Sequence, residues 1–370
     1  MRIGLNATGF NDRPSGARQR FVGIYGALVR QRPDWTFMVY EPADCRVADW
    51  FHGASNVVAR RTPIVSSGRL QRIARNMTYW PGAFAADRLD LFENFVLPLV
   101  AHSTVPTVLT IHDIRSLYEP GNPLVMRLRR RVFRHAFARA DRVIAVSNAV
   151  RDEIIAFHPA ASVSTVYNGV DPAEFVPPAD AAIAAARMRY GLPERYVLAI
   201  GHLEARKNLG LLIEAIAALR DAGTPRALAI VGNDGGTRDA VRARIAALGL
   251  GDLVTMIERA DDAAVRALYA GCELLAFPSR YEGFGIPILE AMAADKPMVL
   301  ADTPVFRELT LGEGLYFPVD DALAAAAAIE KVWGDPAERA RQRRFGAARV
   351  REFTFDVLAA QIAAIYEMLA

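Results

Sequence analysis

Short apolar runs rich in β-branched residues alternate along the chain with longer stretches in which Ala, Leu and Arg recur at helical spacing. That alternation predicts an α/β architecture, with parallel sheets covered by helices. In the first half the pattern predicts strands over Arg2 to Asn6, Thr36 to Tyr40, Val105 to Ile111, Arg142 to Val146 and Val163 to Tyr167. A second series covers Tyr196 to Gly201, Ala227 to Val231, Leu253 to Ile257, Glu273 to Phe277, Pro297 to Leu300 and Gly314 to Phe317. Between the two, Asp171-Pro-Ala-Glu-Phe-Val-Pro-Pro breaks both periods and leads to a short Ala-rich helix that ends near Gly191. A domain linker is placed there. The chain then divides into residues 1–177, residues 178–350 and a terminal segment 351–370, whose helix spans about Asp356 to Leu369.

The length of 370 residues supports the division, since single cores stop growing at about 250–300 residues. With 52% hydrophobic and 23% charged residues the chain is globular. A net charge of +3 is too small to imply a nucleic-acid partner, and the basic run Arg127 to Arg134 lacks the interleaved aromatics of a single-strand platform. That run falls in a predicted helix and reads either as a solvated face or as a contact for anionic lipid. Cys45 and Cys272 suggest neither a metal cluster nor a disulfide framework, so no metal site is expected. The first residues enter a strand without a signal-peptide pattern, and no apolar run approaches the ~18 residues of a membrane span. The expectation is a cytoplasmic protein, at most peripheral at the inner face of a membrane. In such a chain the sequon Asn76-Met77-Thr78 carries no meaning.

Candidate chemistry concentrates in Ser279-Arg-Tyr-Glu-Gly-Phe-Gly-Ile-Pro-Ile-Leu-Glu290, where Glu282 and Glu290 stand eight residues apart around a glycine turn. Pro287 suits the first helical position, which places the helix start beside Gly285 and Glu290 in its opening turns. The open amides of that start favour a phosphate, and Gly283 and Gly285 allow close approach to the backbone. Glu282 and Glu290 would flank it and accept from hydroxyls, an arrangement for a sugar nucleotide. Alone, the same spacing also fits two solvated carboxylates at a helix start. Gly201-His-Leu-Glu-Ala-Arg-Lys-Asn208 puts Arg206 and Lys207 in a loop at a strand's C-terminal edge, where open α/β sheets bind ligands. Its bland alternative is a basic turn capped by Asn208. Pro14-Ser-Gly-Ala-Arg-Gln-Arg20 follows the first strand, so Gly16 either faces phosphates or simply reverses the chain. His112, after the run ending at Ile111, occupies another such edge.

Taken together these segments resemble the signatures of the retaining glycosyltransferases of family 4: the E-x7-E pair, the G-x-x-x-x-R-K-N loop and the H-D segment in Thr110-Ile-His-Asp-Ile. Val143 to Asn148 and Val166 to Asp171 are similar to further recurrent pieces of the family. The resemblance implies the GT-B fold, with two facing Rossmann-like domains, a deep interdomain cleft and a final helix crossing back to the N-terminal domain. Arg351-Glu-Phe-Thr-Phe is similar to that helix's lead-in, although a plain helix on the second domain is the alternative. An N-terminal acceptor domain and a C-terminal nucleotide-sugar domain are implied as well.

By the same resemblance Glu282 lies by the donor sugar and Glu290 binds the ribose. Arg206 and Lys207 grip the diphosphate in place of a metal ion, Gly283, Phe284 and Gly285 line it, and His112 hydrogen-bonds the sugar. Gly16 faces the phosphates from the other side, and Arg18, where the family often has a second glycine, contacts donor or acceptor. His202 stands where many relatives have an arginine. Glu258 lies at the turn that reads the base and would accept from guanine, which favours GDP over UDP.

The implied activity is transfer, with retention, of a mannose-type hexose from a nucleoside-diphosphate sugar, with no separate cofactor. The acceptor would be a glycan or a polyprenyl or other lipid-linked intermediate of polysaccharide or lipopolysaccharide biosynthesis. Acceptor contacts are placed in loops such as Thr62 to Pro81. Two alternatives stay open: another GT-B enzyme such as an epimerase or phosphorylase, and an inactive nucleotide-sugar-binding partner.

Overall fold

The computed structural model describes residues 1–67, 74, 78–95, 97–99, 103–119 and 121–370. Residues 68–73 and 75–77 of the loop from Thr62 to Pro81, with Asn76 and Met77 of the sequon, lie outside the described residues. The chain forms two compact units, Met1–Gly169 with Phe355–Ala370, and Val170–Thr354.

The first unit holds strands β1 (Arg2–Asn6), β2 (Thr36–Glu41), β3 (Val57–Arg61), β4 (Leu91–Asn94), β5 (Thr107–Ile111), β6 (Arg142–Ala145) and β7 (Val163–Thr165). They pair in parallel in the order β3-β2-β1-β4-β5-β6-β7, with Leu5 opposite Val39 and Glu93. The second holds β8 (Val197–Ile200), β9 (Leu228–Val231), β10 (Val254–Ile257), β11 (Leu274–Phe277), β12 (Met298–Ala301) and β13 (Leu315–Phe317). Its order, β10-β9-β8-β11-β12-β13, repeats the same plan, again all parallel. Each sheet reverses its strand order once, between β1 and β4 and between β8 and β11. Doubly wound sheets bind ligands outside the carboxyl ends of the strands at such points.

Every predicted strand is present, and two more, β3 and β4, were not predicted. β4 explains its own omission, because it carries Glu93 fully buried in the sheet centre. That carboxylate accepts hydrogen bonds from Tyr25 Oη at 2.7 Å, Thr110 Oγ1 at 2.5 Å and the Tyr366 hydroxyl. Burial raises its pKa against the opposing pull of these donors and of nearby Arg20.

Tyr366 belongs to the last helix, Phe355–Leu369, which buries Leu358, Ile362 and Ile365 in the core of the first unit. Each such side chain contributes about 1.5–3 kcal/mol relative to exposure. Close seating depends on Gly23, where an added Cβ would fall 2.3 Å from the Phe355 ring. Trp35 stacks on Tyr366 with centroids 6.2 Å apart, and Arg32 pairs with Glu367 at 2.9 Å.

In the second unit Val170 bridges Thr354, and Val170 N–H donates to Phe353 O at 3.0 Å, which ties together the points where the chain begins and ends the unit. The proline-marked stretch after Asp171 lies inside this unit as a short turn, Pro172–Phe175, capped by Asp171. Among the described residues no helix is long and apolar enough to cross a membrane.

Candidate active site

The loops that follow β8 and β11, on the two sides of the second unit's reversal, converge. Gly201 has φ +138°, and a Cβ there would fall 3.0 Å from Lys207 Cε, so only glycine lets the lysine fold back over the strand end. The turn Ala205–Lys207 ends at Asn208, which is left-handed at φ +53° and donates from Nδ2 to Val319 O at 2.8 Å. Arg280 N–H, from the loop after β11, donates to Arg206 O at 2.9 Å and joins the loops directly.

Glu282 then meets both cations. Its Oε1 lies 2.7 Å from Lys207 Nζ and its Oε2 2.6 Å from Arg206 Nη1. Arg206 also donates from Nε to Glu204 at 2.7 Å and from Nη1 to Tyr281 O at 3.3 Å. Lys207 Nζ sits 4.9 Å from the centroid of the Phe277 ring. Burial pulls the Lys207 pKa down, and the adjacent Glu282 restores only part of it. For Glu282 burial acts upward, but Lys207 and Arg206 outweigh it and hold the carboxyl below its ordinary value. Arg206 is raised, because Glu282 and Glu204 overcome the effect of burial. Lysine has three N–H donors and arginine five, more than one carboxylate can occupy, so the cluster can serve an incoming anion.

The glycine turn continues from Glu282 into the helix Ile286–Ala293. Gly285 caps it at φ +125°, a conformation that L side chains rarely adopt. Ile286 takes the first helical position and Pro287 the second, one place later than the sequence suggests; both positions tolerate a missing N–H. Glu290 is held from the side by buried Tyr269, whose hydroxyl donates to Oε2 at 2.8 Å. The Phe284 ring is buried, 6.2 Å from the Phe353 centroid, and belongs to the core. Glu258, after β10, pairs with Arg242 at 3.3 Å and Arg238 at 3.6 Å. It would have to leave an arginine to accept from a guanine.

The remaining candidates belong to the first unit. Gly16 opens the helix Gly16–Arg20, capped by Ser15 Oγ, which accepts from Arg18 N at 3.2 Å. The Arg18 side chain folds back on its own surroundings, 4.4 Å above the Trp50 ring and donating to Asp12 O at 2.7 Å. Arg20, 1% exposed, donates from Nη1 to Val166 O at 2.9 Å, Asn168 Oδ1 at 3.1 Å and Tyr167 O. His112 follows β5 and keeps some exposed surface, yet burial first and the Arg20 charge second push its pKa down to about 3. It is a neutral imidazole at ordinary pH, fit for hydrogen bonding.

Sequence reasoning missed Tyr269, Glu204 and the arginine pair on Glu258. Among the described residues no group of three or more His, Cys, Asp or Glu side chains converges as a metal site would.

A doubly wound sheet in each unit, with basic and acidic loops meeting at a strand-order reversal, is the construction of a GT-B glycosyltransferase. Family models agree: "Glycosyl transferases group 1" matches residues 187–349 and "Glycosyltransferase Family 4" residues 16–174. The chain belongs to glycosyltransferase family 4. It is 28% identical over 293 residues to the O-antigen chain mannosyltransferase RfbU of Salmonella typhimurium, covering 77% of this chain and 79% of that one. It is 31% identical over 273 residues to the alpha-D-kanosaminyltransferase of Streptomyces kanamyceticus, covering 71% and 70%. Sucrose-phosphate synthase from Thermosynechococcus elongatus shares the fold at a TM-score of 0.81, with 22% identity over 100% of this chain and 98% of that one.

Proposed function

We propose that this glycosyltransferase moves a hexose, mannose in preference, from a nucleoside-diphosphate sugar to a glycan or lipid-linked acceptor in polysaccharide or lipopolysaccharide assembly, with retention and without a metal. The observation that carries the donor reading is the meeting of Arg206 and Lys207 at Glu282 beside the glycine turn. Mannose is favoured by the likeness to RfbU. GDP is the preferred carrier in this reading, on the acceptor capacity of Glu258, which would have to exchange Arg238 or Arg242 for the base.

In this reading the bond from the anomeric carbon to the diphosphate oxygen breaks as the acceptor oxygen bonds to the same face. A donor phosphate oxygen takes the acceptor's proton. Arg206, Lys207 and the backbone of Gly283 to Gly285 hold the negative charge that grows on the leaving diphosphate, which is where preorganised charge acts most strongly on rate. Glu290 takes the ribose, while Glu282 and neutral His112 orient the sugar. Gly16 supplies backbone to the phosphates; Arg18, stacked on Trp50, is assigned to the acceptor.

Thermal unfolding with GDP, UDP, dTDP and ADP tests this, because a ligand selective for the folded state raises the melting point by mass action. One diphosphate should stabilise the wild type and not Lys207→Ala. If none does at about 1 mM, where a Kd of about 10 μM would give roughly 2.7 kcal/mol, the donor-site reading fails and a binding-partner role replaces it.

A further inference from the structure

The helix Pro123–Arg139 of the first unit has an outward face for which donor chemistry has no use. Phe133, Ala136 and Phe137 set its buried side, and Arg129 Nη1 reaches back to Ser116 O at 2.5 Å. Opposite them, at spacings of four, three and four residues, stand Leu124, Leu128, Arg131 and His135, all exposed. Leu124 is 72% and Leu128 64% exposed, and Tyr118, just before the helix, is 58% exposed. Arg127 and Arg134 flank this stripe. The helix has six arginines and no acidic residue.

Solvation alone accounts for arginines and not for two leucines left open at one end of the same stripe. A polyanion in solution would use the arginines and ignore the leucines. Anionic lipid uses both, with the leucines at the acyl boundary and the guanidiniums at the phosphates. At 17 residues the helix is about 25 Å long, suited to lying in the interface plane.

We propose that this helix, with Tyr118, docks the first unit on an anionic lipid surface. Its use rests on the reading of a lipid-linked acceptor, while the surface itself is argued from the helix alone.

Flotation of the full chain with phosphatidylcholine vesicles, with and without about 30% phosphatidylglycerol, tests it. The wild type should float with the anionic vesicles only, and less at high salt. Arg127→Glu/Arg131→Glu and Leu124→Ser/Leu128→Ser should each lower partitioning about tenfold or more, with near-ultraviolet circular dichroism unchanged. Absence of wild-type binding overturns the proposal. So does a leucine variant that floats like the wild type while only the arginine variant loses heparin, which marks a polyanion face. Vesicle binding by a protein that no nucleoside diphosphate stabilises upholds the surface and removes the donor-site reading instead.

Discussion

At the reversal between β8 and β11 the side chains of Arg206, Lys207 and Glu282 are 24%, 11% and 11% exposed. At the reversal between β1 and β4, Arg20 is 1% and Glu93 0% exposed. The strand plan is the same, but the second unit keeps its charges paired at the sheet edge, and the first seals its own among tyrosine hydroxyls and backbone carbonyls. At the end of β5 the first unit presents a neutral histidine, His112. Identical topology therefore yields one edge with a paired cluster of three charges and another whose central charges are sealed in the core.

The largest test of that contrast is Lys207→Ala. Loss of a cation aimed at the leaving group should lower turnover about 10²–10³-fold and weaken nucleoside-diphosphate affinity, read by steady-state kinetics and calorimetry. Near wild-type values would break the contrast at its charged end. Glu282→Gln keeps the shape and removes the charge; kcat should fall about 10²-fold. The folded state should survive with a lower melting point, because Lys207 and Arg206 lose a buried counter-charge.

The neutral end is tested by pH. The unfolded chain protonates His112 below its ordinary 6.5, and the folded chain does so only near 3. Stability from this residue is therefore complete above pH 6.5 and falls as pH drops toward 3, by up to about tenfold per unit in the folding equilibrium. Urea midpoints across that range should decline in the wild type and flatten in His112→Gln. Equal slopes would mean that His112 titrates as an ordinary exposed histidine. The smallest effect expected is that of Tyr269→Phe, which removes the donor to Glu290: affinity for a nucleoside diphosphate should fall about three- to tenfold, and affinity for its 2′,3′-dideoxy analogue should not change. Equal losses for both ligands would make Tyr269 a packing residue only.

Strand positions were legible because apolar runs between helical patterns are a local signal. β3 escaped because Val57–Arg61 is a partly exposed edge with two arginines. β4 escaped because the partners that make Glu93 tolerable there, Tyr25 and Tyr366, lie 68 and 273 residues away. The site divides similarly. Residue types and loop positions of Arg206, Lys207 and Glu282 could be read, whereas their mutual pairing depends on β8 lying beside β11. Tyr269 gave no signal, since only the fold brings it to Glu290 from 21 residues away. The inward ring of Phe284 and the folded-back Arg18 were hidden for the same reason.

The seat of Tyr366 on Glu93 has a consequence for biogenesis. The first unit is sewn from two segments, Met1–Gly169 and Phe355–Ala370, with the whole second unit between them, so its core stays unfinished while that unit is being made. At a translation rate of about 5–20 residues per second, the interval between the synthesis of Gly169 and that of Tyr366 is roughly 10–40 seconds. Through that interval the nascent first unit exposes the surface that Leu358 and Ile362 later cover, which makes it a client for chaperones and the second unit the earlier of the two to become self-sufficient.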